Sequence, residues 1–553
     1  MPSKRVVIVG GVAGGASCAA RLRRLDEQAE IFIFERGPDV SYANCGLPYY
    51  IGGVIDERRR LLVATPERFR DVFRVEVRAR HEVVRIDRRA KAVEVRNTQT
   101  GGAASHPYDA LVLATGAAPL RPRWPGADLP GIFTLRSLED ADAILSWIRH
   151  RQAARAVVVG AGYIGLEMAE NLVHRGMEVT LLERCDQVMP PLDAEMVAPV
   201  EAELRRHGVD LRLSCAARGF EAAGADQMAV LTEDGGRVVA ELVVLCLGVR
   251  PDTTLAADAG LELGPTGGIR VDERMRTSDP DIFAVGDAVE VRDFVTGQPA
   301  LVPLAGPANR QGRIVADVIA GRDARFRGAQ ATNVVSVFDL TLAATGASEK
   351  RLRELGIALE KSYIHAGHHA GYYPGAETIS LKLLFDPRNG KLLGAQAVGK
   401  AGVDKRIDVL ATAIQFGATV HDLEETELCY APQYGSAKDP VNLAGFVAGN
   451  ALRGDVELAH WDEWLELQTA GKPPVTLDVR PAAAVAAGAV EGTIRIPLGE
   501  LRARLDELPR DREIWVHCSV GQTSYFAVRL LRQHGFRVRN LSGGFTSYKM
   551  RRR

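Results

Sequence analysis

The stretch Gly160-Ala161-Gly162-Tyr163-Ile164-Gly165 decides the fold that this sequence predicts. It follows a short β-branched run at 156–159 and opens a segment in which the apolar residues have helical spacing, which gives the order strand, glycine-rich loop and helix. Glycines in such a loop let the backbone approach a pyrophosphate, and the N-terminus of the helix supplies oriented N–H groups. The stretch therefore predicts a dinucleotide-binding unit of an α/β protein.

The residue that ends the next apolar run indicates which dinucleotide this unit binds. Glu183 follows the run at 179–182. An acid in this position accepts a hydrogen bond from the ribose 2′-hydroxyl and repels a 2′-phosphate, so NADH is expected. Arg184 is the next residue and tempers this preference, so NADPH is kept as an alternative.

A second unit of the same kind lies at the N-terminal end of the sequence, with one departure. The run at 5–9 leads into a glycine-rich loop at 10–15 and then into a helical segment, and Glu35 ends the next run as a candidate acceptor for a ribose hydroxyl. Val12 stands where the G-x-G-x-x-G pattern has its middle glycine, so this loop alone is a weak signal. Two such units indicate either two cofactors or a duplicated scaffold.

Composition favours a protein of several domains that acts on small molecules. The chain has 553 residues and a net charge of -1, from 69 Lys and Arg against 70 Asp and Glu, so neither nucleic acid nor a membrane is an expected partner. No apolar run reaches the roughly 18 residues of a membrane-spanning helix, and no signal peptide is recognisable, so we expect a cytoplasmic protein. The cysteines, 7 in number and without a C-x-x-C pair, indicate reduced thiols and no metal site.

One of these cysteines, Cys45, lies in the decapeptide Ser41-Tyr42-Ala43-Asn44-Cys45-Gly46-Leu47-Pro48-Tyr49-Tyr50. The glycine and the proline predict a bend, with Cys45 near the start of a helix, where backbone N–H groups would favour a thiolate. Cys45 is our candidate redox residue. A buried, unreactive cysteine is the alternative.

Two further motifs, each with a glycine turn after an apolar run, follow the decapeptide in the sequence. Ala114-Thr115-Gly116 and Ala284-Val285-Gly286-Asp287 each come after an apolar strand. Together with the two glycine loops they resemble the flavoprotein disulfide reductase superfamily, over most of the chain before the C-terminal segment. The resemblance implies an FAD-binding domain at 1–117 and 250–325, an NAD-binding domain at 118–249 and a dimerisation domain at 326–451. It also implies a homodimer whose active sites are shared between subunits.

The same resemblance assigns the cofactor contacts. The helix that begins near Ala305 is expected to direct its positive end at the flavin ring. Glu35 is expected on the adenosine ribose of FAD and Asp287 on its ribityl chain. The other FAD contacts are Gly10, Val12, Ala13, Gly15, Ser41, Asn44 and Thr115, and the NADH contacts are Gly160, Gly162, Gly165 and Glu183.

Val40 narrows the choice among members of the superfamily. Members that reduce a substrate disulfide often carry two cysteines spaced C-x-x-x-x-C, and Val40 stands where the first of the pair would be. A lone cysteine beside a flavin can cycle as a sulfenic acid, in oxidases and peroxidases, or as a mixed disulfide with a small thiol. Peroxidase-like relatives have a histidine where this chain has Ala13, which counts against the first alternative.

The decapeptide around Cys45 resembles coenzyme A-disulfide reductases and their persulfide-reducing relatives. Tyr372 and Tyr430 match tyrosines that those enzymes place over the active site of the partner subunit, where a phenol can donate a hydrogen bond to a leaving thiolate. Arg21 and Arg24 lie one helical turn apart and are expected to bind the phosphates of coenzyme A. A solvated basic face is the alternative for these arginines.

A new pattern begins after residue 452. A strand leads into Cys518-Ser519-Val520-Gly521-Gln522-Thr523 and then a helix, so Cys518 faces a ring of backbone N–H groups that would stabilise a thiolate or a persulfide. Residues 453–553 resemble a rhodanese domain, which implies that Cys518 carries sulfur. Thr523 stands where related modules have an arginine that holds an anionic sulfur donor, so we expect a weak or altered donor preference.

The sequence as a whole predicts two Rossmann-like domains, an α+β dimerisation domain and a C-terminal α/β rhodanese-like domain. The expected activity is the reduction of coenzyme A disulfide, coenzyme A persulfide or polysulfide by NADH, with FAD as the cofactor. The alternatives are an NADH oxidase or peroxidase that forms a sulfenic acid at Cys45, and a fusion protein that senses redox state or sulfide.

Overall fold

The chain folds as two compact units in the computed structural model, which describes residues 4–224 and 226–551. The first unit consists of the residues up to Asp186 together with Gly208–Ala331. The second consists of Gln187–His207 together with the residues from Thr332 onward. No helix in the described part of the chain is long and apolar enough to cross a membrane.

Each nucleotide-binding pattern of the first unit forms a five-stranded parallel sheet. The strands are continuous apolar runs because both faces of such a sheet are covered, and Val6, Val7 and Ile8 are accordingly fully buried. The strand order is Ile282–Ala284, Ala110–Leu113, Arg5–Val9, Glu30–Glu35 and Glu76–Ala79 in the first sheet, and Ile132–Thr134, Leu242–Leu245, Arg155–Val159, Glu178–Leu182 and Asp210–Arg212 in the second.

The two sheets share one arrangement. In each, the strand before the glycine loop lies between the strand that ends in an acid and a strand from later in the chain. Val6 pairs with Ile31 in the first sheet, and Ala156 pairs with Val179 in the second. The predicted α/β class with two Rossmann-like sheets is therefore confirmed.

Smaller elements complete the first unit. Its other strands are Ser41–Tyr42 paired with Leu62–Ala64, Ala117–Pro119 paired with Val249–Pro251, and the ribbons His81–Asp87, Ala92–Asn97, Ala103–Pro107; Ala217–Ala222, Met228–Thr232, Arg237–Ala240; and Ile269–Arg270, Val289–Arg292, Pro299–Ala300. Its α-helices are Ala13–Leu25, Leu47–Gly52, Pro66–Phe73, Leu138–Arg151, Tyr163–His174, Thr254–Asp258 and Ala305–Ile319, with 3-10 turns at Asn44–Gly46, Arg58–Leu61 and Gly286–Ala288.

The second unit contains an antiparallel sheet and a parallel sheet, each of five strands. The antiparallel order is Asn333–Val337, Leu340–Gly346, Leu392–Gly399, Thr378–Phe385 and Glu360–Gly367, and the parallel order is Leu458–Ala459, Val538–Leu541, Ile514–His517, Val475–Asp478 and Ile494–Arg495. The helices are Ala194–Arg206, Glu349–Glu354, Val403–Gln415, Val420–Glu425, Pro440–Leu452, Trp461–Thr469, Ala482–Ala486, Leu498–Leu501, Gln522–Gln533 and Gly544–Arg551, with a 3-10 turn at Leu505–Glu507. These elements agree with the predicted α+β and rhodanese-like domains.

A buried lysine explains why the helix Ala194–Arg206, which lies within the segment 118–249, belongs to the second unit. Lys382 is fully buried in the antiparallel sheet. Its Nζ lies 2.8 Å from Asp193, 2.7 Å from Glu195 and 2.6 Å from Glu349. Burial alone would lower the pKa of Lys382, but Tyr363 and the three carboxylates together raise it well above its ordinary value.

The same charge cluster includes residues of the C-terminal domain. Lys361 Nζ lies 2.8 Å from Glu349 and 2.5 Å from Asp462, and Arg551 lies 3.2 Å from Glu195. Asp462 and Arg551 belong to the rhodanese-like part of the chain, whereas Lys361 and Glu349 belong to the dimerisation part. The Lys361–Asp462 pair therefore joins the two parts directly, and Arg551 joins the C-terminal part to the segment that contains Glu195. Both pairs are largely buried, so each charge needs its partner to offset the cost of desolvation.

The Lys382→Met variant should lose about 3–5 kcal/mol of unfolding free energy, because it leaves three buried carboxylates without their cation. Urea denaturation followed by circular dichroism measures the loss. Burial alone would raise the pKa of Glu195, but Lys382 and Arg551 lower it to about 2. The stabilisation is therefore fully present above the ordinary glutamate range and is lost as the pH falls towards 2.

Lys400→Met is the matched control. Lys400 is about half exposed and its ion pair with Asp339 is 4.0 Å long, so its loss should change the unfolding free energy by less than about 1 kcal/mol. Equal destabilisation by the two substitutions would contradict a special role for the buried cluster.

Candidate active site

The two glycine loops have the same backbone geometry. Gly10 has a φ of +94° and Gly160 a φ of +103°, a region that side chains disfavour. A Cβ atom on Gly15 would lie 2.0 Å from the Gly10 carbonyl oxygen, and one on Gly165 would lie 1.9 Å from that of Gly160. Only glycine fits at these four positions, because the strand, the turn and the helix contact one another through backbone atoms.

The departure at Val12 does not disturb this geometry. Val12 has a φ of −80° and its counterpart Gly162 a φ of −81°, so neither lies in the left-handed region that favours glycine. A Cβ on Gly162 would meet nothing within 4 Å. The middle position of the motif therefore borders open space, where a valine is accommodated in the first loop.

An acidic residue ties each loop to the strand beside it. Glu35 Oε2 accepts a hydrogen bond from the Gly11 amide at 3.0 Å, and Glu183 Oε2 accepts one from the Ala161 amide at 2.8 Å. Burial raises the pKa of Glu35, and the amides of Gly37 and Gly11 oppose the shift. Each carboxylate thus lies beside a loop, where the hydroxyls of a bound ribose would also be recognised.

The loops and helix starts fit two dinucleotides. The N-cap residues Val12 and Gly162 do not cap the helices Ala13–Leu25 and Tyr163–His174 with a side chain, and neither helix has an acid in its first turn. Their first amides therefore keep their capacity to bind phosphate oxygens. The helix Ala305–Ile319 likewise begins without a side-chain cap or a first-turn acid, at the position predicted for the flavin-directed helix.

Thr115 and Asp287 occupy turns at the ends of two parallel strands of the first sheet. The Thr115 hydroxyl donates to the Asp252 carbonyl at 2.6 Å. Asp287 lies in the turn Gly286–Ala288, and its Oδ2 accepts a hydrogen bond from Arg136 at 3.0 Å. Arg136 was missed by the sequence analysis, because no local pattern links residues that are 151 positions apart.

Cys45 is exposed and lies in the 3-10 turn Asn44–Gly46, directly before the helix Leu47–Gly52. Its Sγ is 4.0 Å from Asn44 Oδ1, and Ser41 is buried in the short strand before it. The bend and the helix start are as predicted. The alternative of a buried cysteine is wrong, whereas the reactivity of Cys45 stays a prediction.

The charge around Cys45 differs from the expectation of a thiolate favoured by a helix end. Although the residue is exposed, the surrounding atoms partly desolvate its sulfur, which raises the pKa of Cys45; Glu167 and Asp287 raise it further, and Arg136 lowers it only in part. The helix Leu47–Gly52 has only 6 residues, and desolvation together with the two carboxylates raises the pKa of Cys45 on balance. The protein's own residues therefore hold Cys45 as a thiol.

Glu167 is, after Arg136, the second candidate functional residue that the sequence analysis did not identify. It lies on the helix Tyr163–His174, and its Oε1 accepts a hydrogen bond from the Tyr49 hydroxyl at 3.5 Å. Burial raises the pKa of Glu167 to about 7. A carboxyl that titrates near neutral pH and acts on Cys45 by its charge is able to hold a proton close to the Cys45 thiol.

Tyr372 and Tyr430 are brought together in the second unit. Their hydroxyl oxygens are 2.8 Å apart, although the residues are 58 positions apart in sequence. Both side chains are exposed, at 76% and 50% of their full accessible area. The hydrogen bond with Tyr430 raises the pKa of Tyr372. The pair is therefore available to a ligand or to a partner subunit.

Arg21 and Arg24 both lie on the helix Ala13–Leu25 but differ in their surroundings. Arg21 is half-buried and forms a 2.8 Å ion pair with Asp317, whereas Arg24 is exposed. The charge of Arg21 is thus already balanced by an acid, and Arg24 is the freer of the two for a phosphate.

Cys518 lies between the strand Ile514–His517 and the helix Gln522–Gln533. Its Sγ accepts a hydrogen bond from the Gly521 amide at 3.1 Å and lies 3.4 Å from Ser524 Oγ. Thr523 is the second residue of the helix. The loop therefore offers donors to the sulfur but no cationic side chain of its own.

Comparison with known proteins agrees with this architecture. The model of the pyridine nucleotide-disulphide oxidoreductase family matches residues 4–309, that of its dimerisation domain residues 332–439, and that of the rhodanese-like domain residues 462–551. The coenzyme A disulfide reductase of Staphylococcus haemolyticus is 39% identical over 446 residues, which are 80% of this chain and 99% of that protein.

Two solved structures span nearly the whole chain. The crystal structure of reduced Bacillus anthracis CoADR-RHD is 46% identical, with a TM-score of 0.97, and the match covers 100% of this chain and 98% of that one. An NAD-dependent persulfide reductase from A. fulgidus is 39% identical, with a TM-score of 0.91, over 98% and 100% of the two chains. The family implies FAD and NAD(P)H as cofactors. The chain belongs to the pyridine nucleotide-disulphide oxidoreductase family of oxidoreductases and carries a rhodanese-like domain at its C-terminal end.

Proposed function

We propose that this protein uses NADH and FAD to reduce coenzyme A disulfide, coenzyme A persulfide or polysulfide through Cys45, while the rhodanese-like domain handles sulfane sulfur. The observation that carries the proposal is an exposed Cys45 with Val40 where a second cysteine would stand. The sulfur that pairs with Cys45 must therefore come from outside this segment. A coenzyme A disulfide reductase and a persulfide reductase among the similar proteins support coenzyme A thiols and persulfides as substrates.

The cofactors are assigned to the two loops. FAD would be held by the loop at 10–15, with Glu35 at its ribose and Asp287 near its ribityl chain, and NADH by the loop at 160–165, with Glu183 at its ribose. When bound, FAD supplies to sulfur the electron pair that NADH delivers. Glu183 is buried whereas Arg184 is exposed, which favours NADH over NADPH.

Cys45 must lose its proton before it attacks a disulfide. Its thiolate forms a mixed disulfide with one half of the substrate and releases the other half as a thiolate. Since burial, Glu167 and Asp287 raise the pKa of Cys45, the site needs a proton acceptor. Glu167 has a pKa of about 7 and donates or accepts a proton near neutral pH.

The Tyr372 and Tyr430 pair is assigned to the leaving thiolate. One hydroxyl donates to the sulfur while it accepts a hydrogen bond from the other across 2.8 Å, which keeps the donor oriented. Both phenols are exposed in one chain. In the proposed homodimer they would complete the active site of the other subunit, with Arg24 and Arg21 at the phosphates of coenzyme A.

Cys518 is assigned the role of sulfur carrier. A persulfide on this residue is an anion, and the Gly521 amide and the Ser524 hydroxyl that now face Sγ would stabilise it. The pantetheine arm of coenzyme A is long and flexible, and could carry sulfur between Cys518 and Cys45.

The Cys45→Ser variant should bind flavin normally but lose NADH-dependent reduction of coenzyme A disulfide and of coenzyme A persulfide, because no thiol remains to attack sulfur. NADH oxidation with each substrate, together with the visible absorbance of the flavin, measures both properties. Cys215→Ser is the matched control, a partly buried cysteine in the first unit with no assigned role. Retained turnover in Cys45→Ser contradicts the assignment, and wild-type NADH oxidation with oxygen or peroxide alone would support the oxidase alternative.

The Glu167→Gln variant should lower the pKa of Cys45, because the charge of Glu167 is one of the causes that raise it. Alkylation of Cys45 at fixed pH should therefore be faster than in the wild type, and its pH profile should move to lower pH. Peptide mass spectrometry after timed iodoacetamide treatment measures the rate, with the exposed Cys429 as the reference thiol in the same sample. If the pH profile of Cys45 alkylation is unchanged or moves to higher pH, the charge of Glu167 does not raise the pKa of Cys45.

The intact protein should show weak transfer of sulfur from thiosulfate to cyanide, because Thr523 offers no positive charge to a dianionic donor. Thr523→Arg should raise this activity, and Gln522→Arg, at the exposed neighbouring position, is the matched control. Formation of thiocyanate is the measurement. Strong wild-type activity that Thr523→Arg does not increase would show that the loop needs no arginine.

A further inference from the structure

The strand Glu360–Gly367 forms an edge of the antiparallel sheet, and the C-terminal domain covers part of that edge. Tyr363 and His365 are two positions apart and therefore lie on the same face of the strand. The Tyr363 amide donates to Ser542 Oγ at 3.0 Å, and His365 Nε2 lies 2.8 Å from Ser547 Oγ. The strand of one domain is thus joined to a turn of the other at two points.

His365 is held rigidly in this contact. Its Nδ1 lies 2.8 Å from Ser380 Oγ on the neighbouring strand, so both ring nitrogens have serine partners. Burial, with a smaller contribution from the charge of Lys549, lowers the pKa of His365 to about 4. The ring is therefore neutral at physiological pH, with one nitrogen donating and the other accepting.

Two adjacent glycines transmit this contact to the Cys518 loop. A Cβ on Gly543 would lie 2.8 Å from the Cβ of Tyr363. A Cβ on Gly544 would lie 2.4 Å from the Cys518 carbonyl oxygen and 2.8 Å from the Gly521 nitrogen. The double glycine is enclosed between the edge strand on one side and the sulfur-binding loop on the other.

Backbone hydrogen bonds complete the connection. The Phe545 amide donates to the Cys518 carbonyl at 2.7 Å, and the Thr546 amide donates to the Ser519 carbonyl at 2.9 Å. These bonds fix the two planar peptide groups Cys518–Ser519 and Ser519–Val520, which come directly before the peptide group that contains the Gly521 amide. One of the amides of this loop, that of Gly521, donates to Cys518 Sγ at 3.1 Å.

We propose that Tyr363 and His365 of the dimerisation domain are positioning residues for Cys518, acting through the turn Ser542–Ser547. The strand Glu360–Gly367 forms hydrogen bonds to the turn, and the turn forms hydrogen bonds to the carbonyls of the Cys518 loop. The Gly521 amide of that loop in turn donates to the Cys518 sulfur. The reactivity of Cys518 therefore depends on a domain that contains neither Cys518 nor Cys45. The consequence for sulfur transfer rests on the proposed function of Cys518, whereas the effect on its thiol does not.

The test measures the pH profile of Cys518 alkylation in the full-length, flavin-loaded protein, by timed iodoacetamide treatment and peptide mass spectrometry. Ser547→Ala removes the partner of His365, and Ser542→Ala removes the partner of the Tyr363 amide. Each should move the profile to higher pH and slow alkylation of Cys518 at neutral pH by about two- to tenfold, the worth of one hydrogen bond. NADH-dependent reduction through Cys45 should be unchanged.

Ser362→Ala is the matched control. Ser362 is buried on the opposite face of the same strand, and its hydroxyl has no hydrogen-bond partner in the described part of the chain. This variant should leave the alkylation profile of Cys518 as in the wild type.

Three results would overturn the proposal: an unchanged profile in both serine variants, a shift to lower pH, or an equal shift in Ser362→Ala. The shape of the profile distinguishes the proposed role from a general loosening of the structure around Cys518. Loosening would make Cys518 more accessible and would raise the maximum alkylation rate at high pH, but it would not move the midpoint of the profile to higher pH. Thermal unfolding checks that each variant is folded, and either serine variant alone suffices for the test. If the wild-type protein never carries a persulfide on Cys518, the proposed carrier function is wrong, but the effect of Tyr363 and His365 on the Cys518 thiol would still stand.

Discussion

The close approach of backbone to backbone in the two glycine loops is the constraint on which the rest of the first unit depends. Gly15 and Gly165 lie so near the carbonyls of Gly10 and Gly160 that no side chain fits between them. This contact joins the end of a buried strand to the start of a helix, and it leaves the first amides of the helix uncapped. The same constraint therefore sets the fold and leaves amides at two helix starts that are suited to phosphate groups.

The electrostatics of Cys45 follow from what surrounds it rather than from the turn that carries it. A short helix start favours a thiolate, but burial and the carboxylates of Glu167 and Asp287 favour the thiol, and they prevail. A site of this kind separates nucleophilic attack from proton transfer, since a neighbouring carboxyl with a pKa of about 7 is able to accept the proton. Protonation of Glu167 and reactivity of Cys45 are thus coupled through charge, without direct contact being required.

The second unit shows a different use of buried polar groups. Lys382 and its three carboxylates form the centre of a buried charge cluster, and the pairs Lys361–Asp462 and Arg551–Glu195 connect the C-terminal domain to it. Buried ion pairs stabilise a protein no more than apolar residues of similar size would. Separating such a pair is nevertheless costly, because each charge would then be buried without a partner. Such a junction is suited to hold the edge strand and the Cys518 loop in one fixed arrangement.

The sequence by itself determined the glycine loops, the acids that follow the strands, the solitary Cys45 and the thiol loop at Cys518, because each depends on residues adjacent in the chain or on a fixed backbone shape. Only the tertiary structure decided which side chains meet. The contacts are between residues far apart in the chain: Tyr372 contacts Tyr430 across 58 positions, Lys382 contacts Asp193 across 189, and His365 contacts Ser547 across 182. The same holds for the pKa of Cys45, whose direction the local sequence predicted wrongly. Charge and burial act through space, and the position of a carboxylate from another strand or helix is fixed only when the chain has folded.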